Sequence, residues 1–441
     1  MIAIRQIAAI VTIVVLAWFG SIGAMAAQAN TTQPDRVLRT WYQLVLELVR
    51  HTPTYSPPVA SRSFAYLGVT AFEAVATGSS ELQSLAGQLN GLQAVPQREA
   101  GKAYDEAVVL HAAMAFAAQN FFNNTGPTGQ RALAKLEEKL RAEVSVALPA
   151  DVVARSEAHG QAVAAHVLAW SRDDGGAVIE NMGFPLEYQL TTGAAHWVPT
   201  SLVAQQQKPL LPNWGINRTF AMPNGAACPL PAPPEYSEEK SSEFYKQALE
   251  VYEAKQNMTA EQRAIARFWS DDPMLSPTPP GHWISIALQI ITRDNVEVGK
   301  SVDVLVRLGV AVADSFVGCW NSKFQYDLLR PVTYIRRVID LKWETLLITP
   351  PFPEYPSGHS TQSGAAAEVL TSMFGENFMF EDATHKRDGL APRAFPSFWA
   401  AANEAGISRL YGGIHFRAAI DRGLDQGRCV GAFVNALRTR R

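Results

Sequence analysis

Apolar residues recur at helical spacing through most of this chain. Leu38, Trp41, Val45, Leu48 and Val49 share one face between Val37 and Arg50, and Pro53, Pro57 and Pro58 stop the run. Phe64, Leu67, Ala71 and Val75 mark a second helix over 61–75. The stretch 102–122 is Ala-rich and reads as a buried helix. Lys135, Glu138, Lys139 and Glu143 give 130–146 an exposed charged face, and 151–171 is a further helix. The pattern then lapses over 173–236, where Gly, Pro, Asn and Thr surround Trp197, Trp214 and Phe220. That is too long for an ordinary connection. A packed irregular segment anchored by its tryptophans is expected there, in preference to a lid. Helical spacing returns over 237–269, with Ser237 as N-cap, and then over 282–292, 300–320, 321–339, 360–374, 399–411 and 421–437. Neither a repeat nor a series of strands interrupts it. The expected fold is all-α, with about a dozen helices in large bundles. It divides into a signal peptide (1–26), an N-terminal helical region (27–175), an irregular connection (176–236) and a C-terminal helical region (237–441).

Composition changes this picture little. With 441 residues, 47% hydrophobic and 18% charged, the chain can build a large core. A net charge of -3 gives no reason to expect nucleic acid as a partner. The N-terminus adds one feature. Arg5, the apolar run Ile7 to Phe19 and the small residues at Ala24-Met25-Ala26 read as a secretory signal. A secreted or periplasmic protein follows, with no stable membrane association after cleavage, because the apolar run is short for a span. Cys228, Cys319 and Cys429 are odd in number and far apart, so buried free thiols are the default reading, although an exported chain could join two of them. His159 and His166 share a helix face but lack metal-ligand spacing and a third ligand, and read as structural.

The candidate chemistry lies toward the C-terminus. A Pro-rich approach from Thr349 to Tyr355 leads into Pro356-Ser357-Gly358-His359, and an Ala-rich helix follows from Ser360 to Phe374. The prolines hold the approach extended. The first turn of the helix presents unpaired N–H groups and the positive end of the dipole. A hydroxyl, a bare N–H and an imidazole at that point suit an oxyanion, although such a junction alone is more often a capped turn. Its neighbours change the odds. Lys323 and Arg330 lie upstream, with Pro331 next, and Ser408, Arg409 and His415 lie downstream. Lys323 and Arg330, seven apart, are expected on one side of a single helix. Arg409 is expected to end a helix, with His415 past a break at Gly412-Gly413.

The ordered set Lys-x6-Arg-Pro, Pro-Ser-Gly-His and Ser-Arg-x5-His resembles the superfamily joining type 2 phosphatidic acid phosphatases, bacterial acid phosphatases and vanadium-dependent haloperoxidases. The string from Pro350 to His359, with Phe352 ahead of the motif histidine and Trp320 three before Lys323, is similar to the secreted vanadium chloroperoxidases. Phe268 to Asp271 and Pro279 to Trp283 are similar to a segment of bacterial members. This resemblance implies a vanadate cofactor, in a site that phosphate can also occupy. It implies His415 as the one protein ligand to the metal. Lys323, Arg330 and Arg409 then neutralise the equatorial oxygens, with Ser357 and the Gly358 N–H as further donors. His359 is the acid–base group, Lys323 also polarises bound peroxide, Phe352 and Trp320 line the halide side, and Asp271 steadies a site arginine. Hydrogen peroxide, a halide and an organic acceptor are the implied partners. The phosphatase branch implies the same pocket acting on a phosphomonoester through a phospho-histidine at His415, and an inert oxyanion-binding protein is a third reading. One position departs from the family. Many members carry Asp four residues after the second histidine, where this chain has Ala419. Orientation of His415 is therefore expected to fall to Asp421 or to a backbone carbonyl.

Overall fold

A computed structural model describes residues 33–441, so the signal-peptide reading of 1–26 lies outside the described residues. Five helices come first: α1 (Pro34–Arg50), α2 (Pro57–Ala76), α3 (Glu106–Phe121), α4 (Gly126–Val144) and α5 (Ala150–Ser171). Pro57 and Pro58, which close the first apolar run, open α2, because the first turn loses nothing by lacking a donor. Short 3-10 turns alone punctuate the connection that follows. Then come α6 (Glu243–Gln256), α7 (Ala260–Phe268), α8 (Thr278–Arg293), α9 (Val298–Tyr326), α10 (Pro331–Val338) and α11 (Gly358–Phe374). A small antiparallel pair, β1 (Phe380–Asp382) and β2 (Arg393–Phe395), precedes α12 (Phe398–Tyr411) and α13 (Arg417–Asn435). Among the described residues the protein is all-α apart from this one pair.

Two expected helices are each broken. The run 237–269 is α6 and α7, capped by Ser242 and by a Thr259–Gln262 capping box rather than by Ser237. The run 321–339 is interrupted as well. α9 ends where Asp327 takes a left-handed conformation (φ 44°), and Arg330 is the extended residue before α10. Pro331 disfavours helical geometry at the residue before it, so Lys323 and Arg330 do not share a helix.

One apolar core joins the N- and C-terminal regions, from Val37 to Leu437. Its spine is α9, 29 residues long, which packs on α2, α8, α11 and α13. The α11–α13 contact is backbone against backbone: a Cβ on Gly427 would sit 2.2 Å from the Thr361 carbonyl oxygen. This clamp fixes the start of α11, where Ser357 and His359 lie.

The irregular connection is packed, with Trp197 and Trp214 buried as anchors. Asp314 of α9 accepts the N–H groups of Phe220, Ala221 and Met222 at 2.6, 2.8 and 2.9 Å. A disulfide between Cys228 and Cys429 ties the segment to α13, and Cys319 is a buried free thiol. Of the two readings left open, two joined cysteines replace the default of free thiols; partners 201 residues apart meet only through the tertiary fold. His159 contacts Thr77 Oγ1 at 2.9 Å, and His166 the Gln93 carbonyl at 3.2 Å. Both are structural contacts. No helix among the described residues is long and apolar enough to cross a membrane.

Candidate active site

The fold gathers the expected residues in one buried place. Ser357 caps α11: its Oγ accepts the Ser360 N–H, which leaves the hydroxyl proton to donate elsewhere. Its own N–H donates to the Ala419 carbonyl at 2.9 Å. Gly358 opens the helix, and its N–H belongs to the first turn, which has no intrahelical acceptor. A Cβ on Gly358 would make only ordinary contacts with Phe316, Trp320 and Cys319, so packing does not demand glycine there. Arg409 lies in the last turn of α12, and His415 follows Gly413, whose φ of 77° is one glycine tolerates. That arrangement matches the expectation.

His415 is oriented by Glu354. Its Nδ1–H donates to Glu354 Oε1 at 2.9 Å, and the same oxygen accepts the Phe416 N–H at 2.8 Å. This corrects the expectation that Asp421 or a backbone carbonyl would do so. Arg330 Nη1 donates to His415 Nε2 at 3.1 Å and to the Ile414 carbonyl at 3.0 Å, which fixes Nε2 as the bare nitrogen. Burial, and then the charges of Arg330, Lys323 and Arg409, hold the His415 pKa well below the ordinary imidazole range. The ring is neutral, with a lone pair turned toward guanidinium. Burial pushes Glu354 up to about 7 against Arg330 and Lys323.

The three cations are buried and short of counter-charge. Burial lowers Lys323 to about 7 and both Arg330 and Arg409 to about 10. Arg330 Nε donates to the Phe352 carbonyl at 2.9 Å, and Arg409 Nη1 to the Trp269 carbonyl and to His359 Nε2, both at 2.7 Å. Arg330 Nη2 and Arg409 Nε are buried with no hydrogen-bond partner among the described residues. Unsatisfied buried guanidinium donors beside a neutral imidazole nitrogen are what a tetrahedral or five-coordinate oxyanion requires. Vanadate fits this donor set. Lys323 is placed differently from the other two. Its Nζ donates to the carbonyls of Pro353, Glu354 and Pro356 at 2.8, 3.0 and 2.5 Å, so it is the post around which the Pro-rich approach folds. Trp320 and Phe352 pack together (ring centroids 4.8 Å apart), with Lys323 Nζ 5.2 Å from the Phe352 ring.

Asp271 is present, but it does not pair with an arginine as expected. Its Oδ1 is bonded to His282 Nδ1 (2.8 Å) and Ser276 Oγ (2.7 Å), and its Oδ2 lies 3.3 Å from His359 Nε2. Arg409 Nη1 bonds the Trp269 carbonyl and His359 Nε2 instead, and Asp271, with Asp272, acts on the guanidinium through charge alone. Burial, then Arg409, lowers His359 to about 4, so it is a neutral base.

An all-α fold, a helix-terminal oxyanion cradle and a neutral histidine lone pair together define an oxyanion-centred enzyme of the phosphatase and haloperoxidase type. Comparison with known proteins narrows that class. The family model "VCPO second helical-bundle domain" matches residues 303–342 and 338–440. A solved bacterial vanadium-dependent iodoperoxidase is 38% identical, covers 92% of this chain and 97% of its own, and superposes with a TM-score of 0.84. A holo-type bacterial vanadium-dependent chloroperoxidase shares the fold at a TM-score of 0.68 with 17% identity, over 87% of this chain and 92% of its own. Vanadium chloroperoxidase of Curvularia inaequalis is 24% identical over 217 residues, which is 35% of this chain and 36% of that protein. The chain belongs to the vanadium-dependent haloperoxidases.

Proposed function

We propose that this protein is a vanadate-dependent haloperoxidase that oxidises halide with hydrogen peroxide, iodide foremost. The observation that carries the reading is the neutral Nε2 of His415, held by Glu354 and set beside the unpartnered donors of Arg330 and Arg409. Vanadate, when bound, supplies a pentavalent Lewis-acid centre that activates peroxide. His415 Nε2 is its protein ligand. Arg330, Arg409, the Ser357 hydroxyl and the Gly358 N–H neutralise its oxygens. Phosphate has the same shape and takes the same donors. His359, neutral at working pH, accepts the peroxide proton. Trp320 and Phe352 keep the halide side apolar, and Lys323 supplies positive charge there. The balanced reaction is H2O2 + I⁻ + H⁺ → HOI + H2O, and the hypoiodous acid iodinates an electron-rich organic acceptor. Iodide is favoured because the 38%-identical relative is an iodoperoxidase, whereas the chloroperoxidase structures are 16–17% identical. The Cys228–Cys429 bridge supports work outside the cytoplasm, in keeping with a secretory leader.

The test uses metal-free protein given orthovanadate. Triiodide formation from peroxide and iodide is followed beside bromide and chloride, and nitrophenyl phosphate hydrolysis is measured without vanadate. Vanadate-dependent iodide oxidation that His415→Ala abolishes is the expected result. Phosphatase activity that vanadate inhibits, with no halide oxidised, would place the protein in the phosphatase branch instead.

A further inference from the structure

Behind His359 lies a buried set of charges that the reading above does not use. His282, on α8, is fully buried between two carboxylates: Nδ1 is 2.8 Å from Asp271 Oδ1, and Nε2 is 2.8 Å from Asp382 Oδ2. Its ring stacks on Trp269, with centroids 4.5 Å apart and planes at 23°. Asp382 is fixed in turn by the Thr384 N–H at 2.9 Å. The four groups form a line in the order Asp382, His282, Asp271, His359.

We propose that His282 and Asp382 are positioning residues for the acid–base step: an imidazolium clasped between two carboxylates keeps Asp271 ionised and aimed to receive the Nε2–H of His359 once His359 is protonated. The proposal rests on the haloperoxidase reading for the source of the proton. A carboxylate buried as completely as Asp271 tends to take up a proton unless a cation is bonded to it. Arg409 is not hydrogen-bonded to it, and His282 is. An imidazolium buried that deeply needs an anion on each nitrogen, and Asp382 is the second. The electrostatics agree. Burial works against charge on His282, yet Asp271 and Asp382 raise it to about 10. Burial would raise Asp271, yet His282, His359 and His385 hold it well below the ordinary range.

The proton balance is local. In the resting arrangement His359 Nε2 accepts from Arg409 and is therefore bare. When the O–H bond of peroxide breaks, an N–H bond forms at Nε2. That new donor repels the Arg409 N–H, and Asp271 Oδ2, 3.3 Å away and otherwise without a hydrogen-bond partner among the described residues, is the acceptor in reach. The freed Arg409 then turns to the anion. His385 also faces the clasp, 3.7 Å from Asp271 Oδ1, with the Asp388–Arg50 ion pair beyond it. Asp271, His282 and His385 lie close enough together to hold a metal ion. Both His282 nitrogens are nevertheless occupied by carboxylates, and a protonated nitrogen is no ligand.

The experiment is ring-nitrogen NMR of the full-length mature protein at pH 8, with the His282 signals assigned by their loss in His282→Asn. Zinc content and the pH profile of kcat/KM for peroxide are measured in parallel. Both His282 nitrogens protonated, without zinc, is the expected result. In Asp382→Asn, His282 becomes neutral at pH 8. Its kcat/KM for peroxide falls about 10- to 100-fold and gains a new ionisation between about pH 6 and 9, while KM for iodide stays within about twofold. Asp382→Glu restores most of the loss. A neutral or zinc-bound His282 in the natural protein overturns the proposal, and that readout stands even if Asp382→Asn does not fold. An Asp382→Asn protein with an unchanged peroxide profile overturns it too. Absence of halide oxidation beside a charged His282 would instead sink the haloperoxidase reading, and the same variants would then be read on phosphate-ester hydrolysis, where unchanged rates and pH profile would overturn the positioning role.

Discussion

His415 and His282 are both deeply buried imidazoles hydrogen-bonded to a carboxylate, yet they carry opposite charge states. His415 has one carboxylate partner, Glu354, and that oxygen is shared with the Phe416 N–H. Three buried cations surround the ring, and together with burial they keep it neutral. His282 has a carboxylate on each nitrogen, and burial loses to the pair of them. A histidine–carboxylate contact therefore does not by itself mark a ligand. What decides is whether a nitrogen is left bare, and whether nearby charge favours keeping it so. His415 offers Nε2 to an anion, whereas His282 offers nothing and acts through what it holds in place.

The harshest test of this contrast is His415→Ala. Loss of the bare nitrogen is expected to reduce vanadate-dependent halide oxidation on the order of 1000-fold or more, and titration calorimetry with orthovanadate should show binding lost with it. Next is Glu354→Gln. The glutamine keeps the size of the side chain but can turn its amide toward His415, releasing the Nδ1–H tautomer. Orthovanadate affinity should fall about 10- to 100-fold with the fold intact. An unchanged affinity would mean that the Arg330 contact alone orients His415. A third variant leaves both histidines alone. Cys228→Ser removes the tie between the irregular connection and α13, and urea unfolding should show a loss of about 2–5 kcal/mol. Vanadate affinity in the protein that remains folded should change little, because the donors sit on α9 to α12 and on the Pro-rich approach.

Much of the pocket was legible because its residues sit at element ends, where local chemistry dictates geometry. Ser357 caps a helix as its type and position suggest, and Gly412-Gly413 breaks the chain between Arg409 and His415. The same local logic, applied fully, would have separated Lys323 from Arg330, since Pro331 excludes a helical Arg330. Partners distant in the chain were out of reach. Glu354 stands in plain view within the Pro-rich approach, but no spacing rule links it to a histidine 61 residues on. Lys323 looks like one more anion-binding cation until the loop carbonyls are seen around its Nζ. Asp382 and His282 are 100 residues apart, and Asp382 lies in a two-stranded element too short to leave a period in the sequence. Asp271 was recognised, but its partner was expected to be an arginine because the charge on a buried histidine cannot be read before its neighbours are known.

The smallest expected effect is on stability against pH, and it has a definite sign. The His282 pKa is raised in the folded protein, so its contribution is complete below the ordinary histidine value and is lost as pH rises toward about 10. His111 is a buried histidine outside the pocket, which accepts the Trp41 indole N–H at 3.3 Å, and burial lowers it to about 4. Its contribution is complete above the ordinary value and is lost as pH falls through that window. The two place a maximum in melting temperature near neutrality, with His282 limiting the alkaline side and His111, together with the depressed carboxylates Asp271 and Asp382, contributing to the acid side. Asp382→Asn lowers the folded pKa of His282, so the alkaline decline should be smaller and confined to lower pH, by on the order of 2 °C near pH 9 relative to neutrality, and the acid decline should shrink too, because the Asp382 carboxylate, held below its ordinary range by His282, is gone. His111→Gln should reduce the acid decline and leave the alkaline side unchanged. Thermal melts at closely spaced pH values would separate the two. An alkaline limb that Asp382→Asn leaves unchanged would mean that His282 is not charged in the folded protein, and the contrast with His415 would fail at its stronger half.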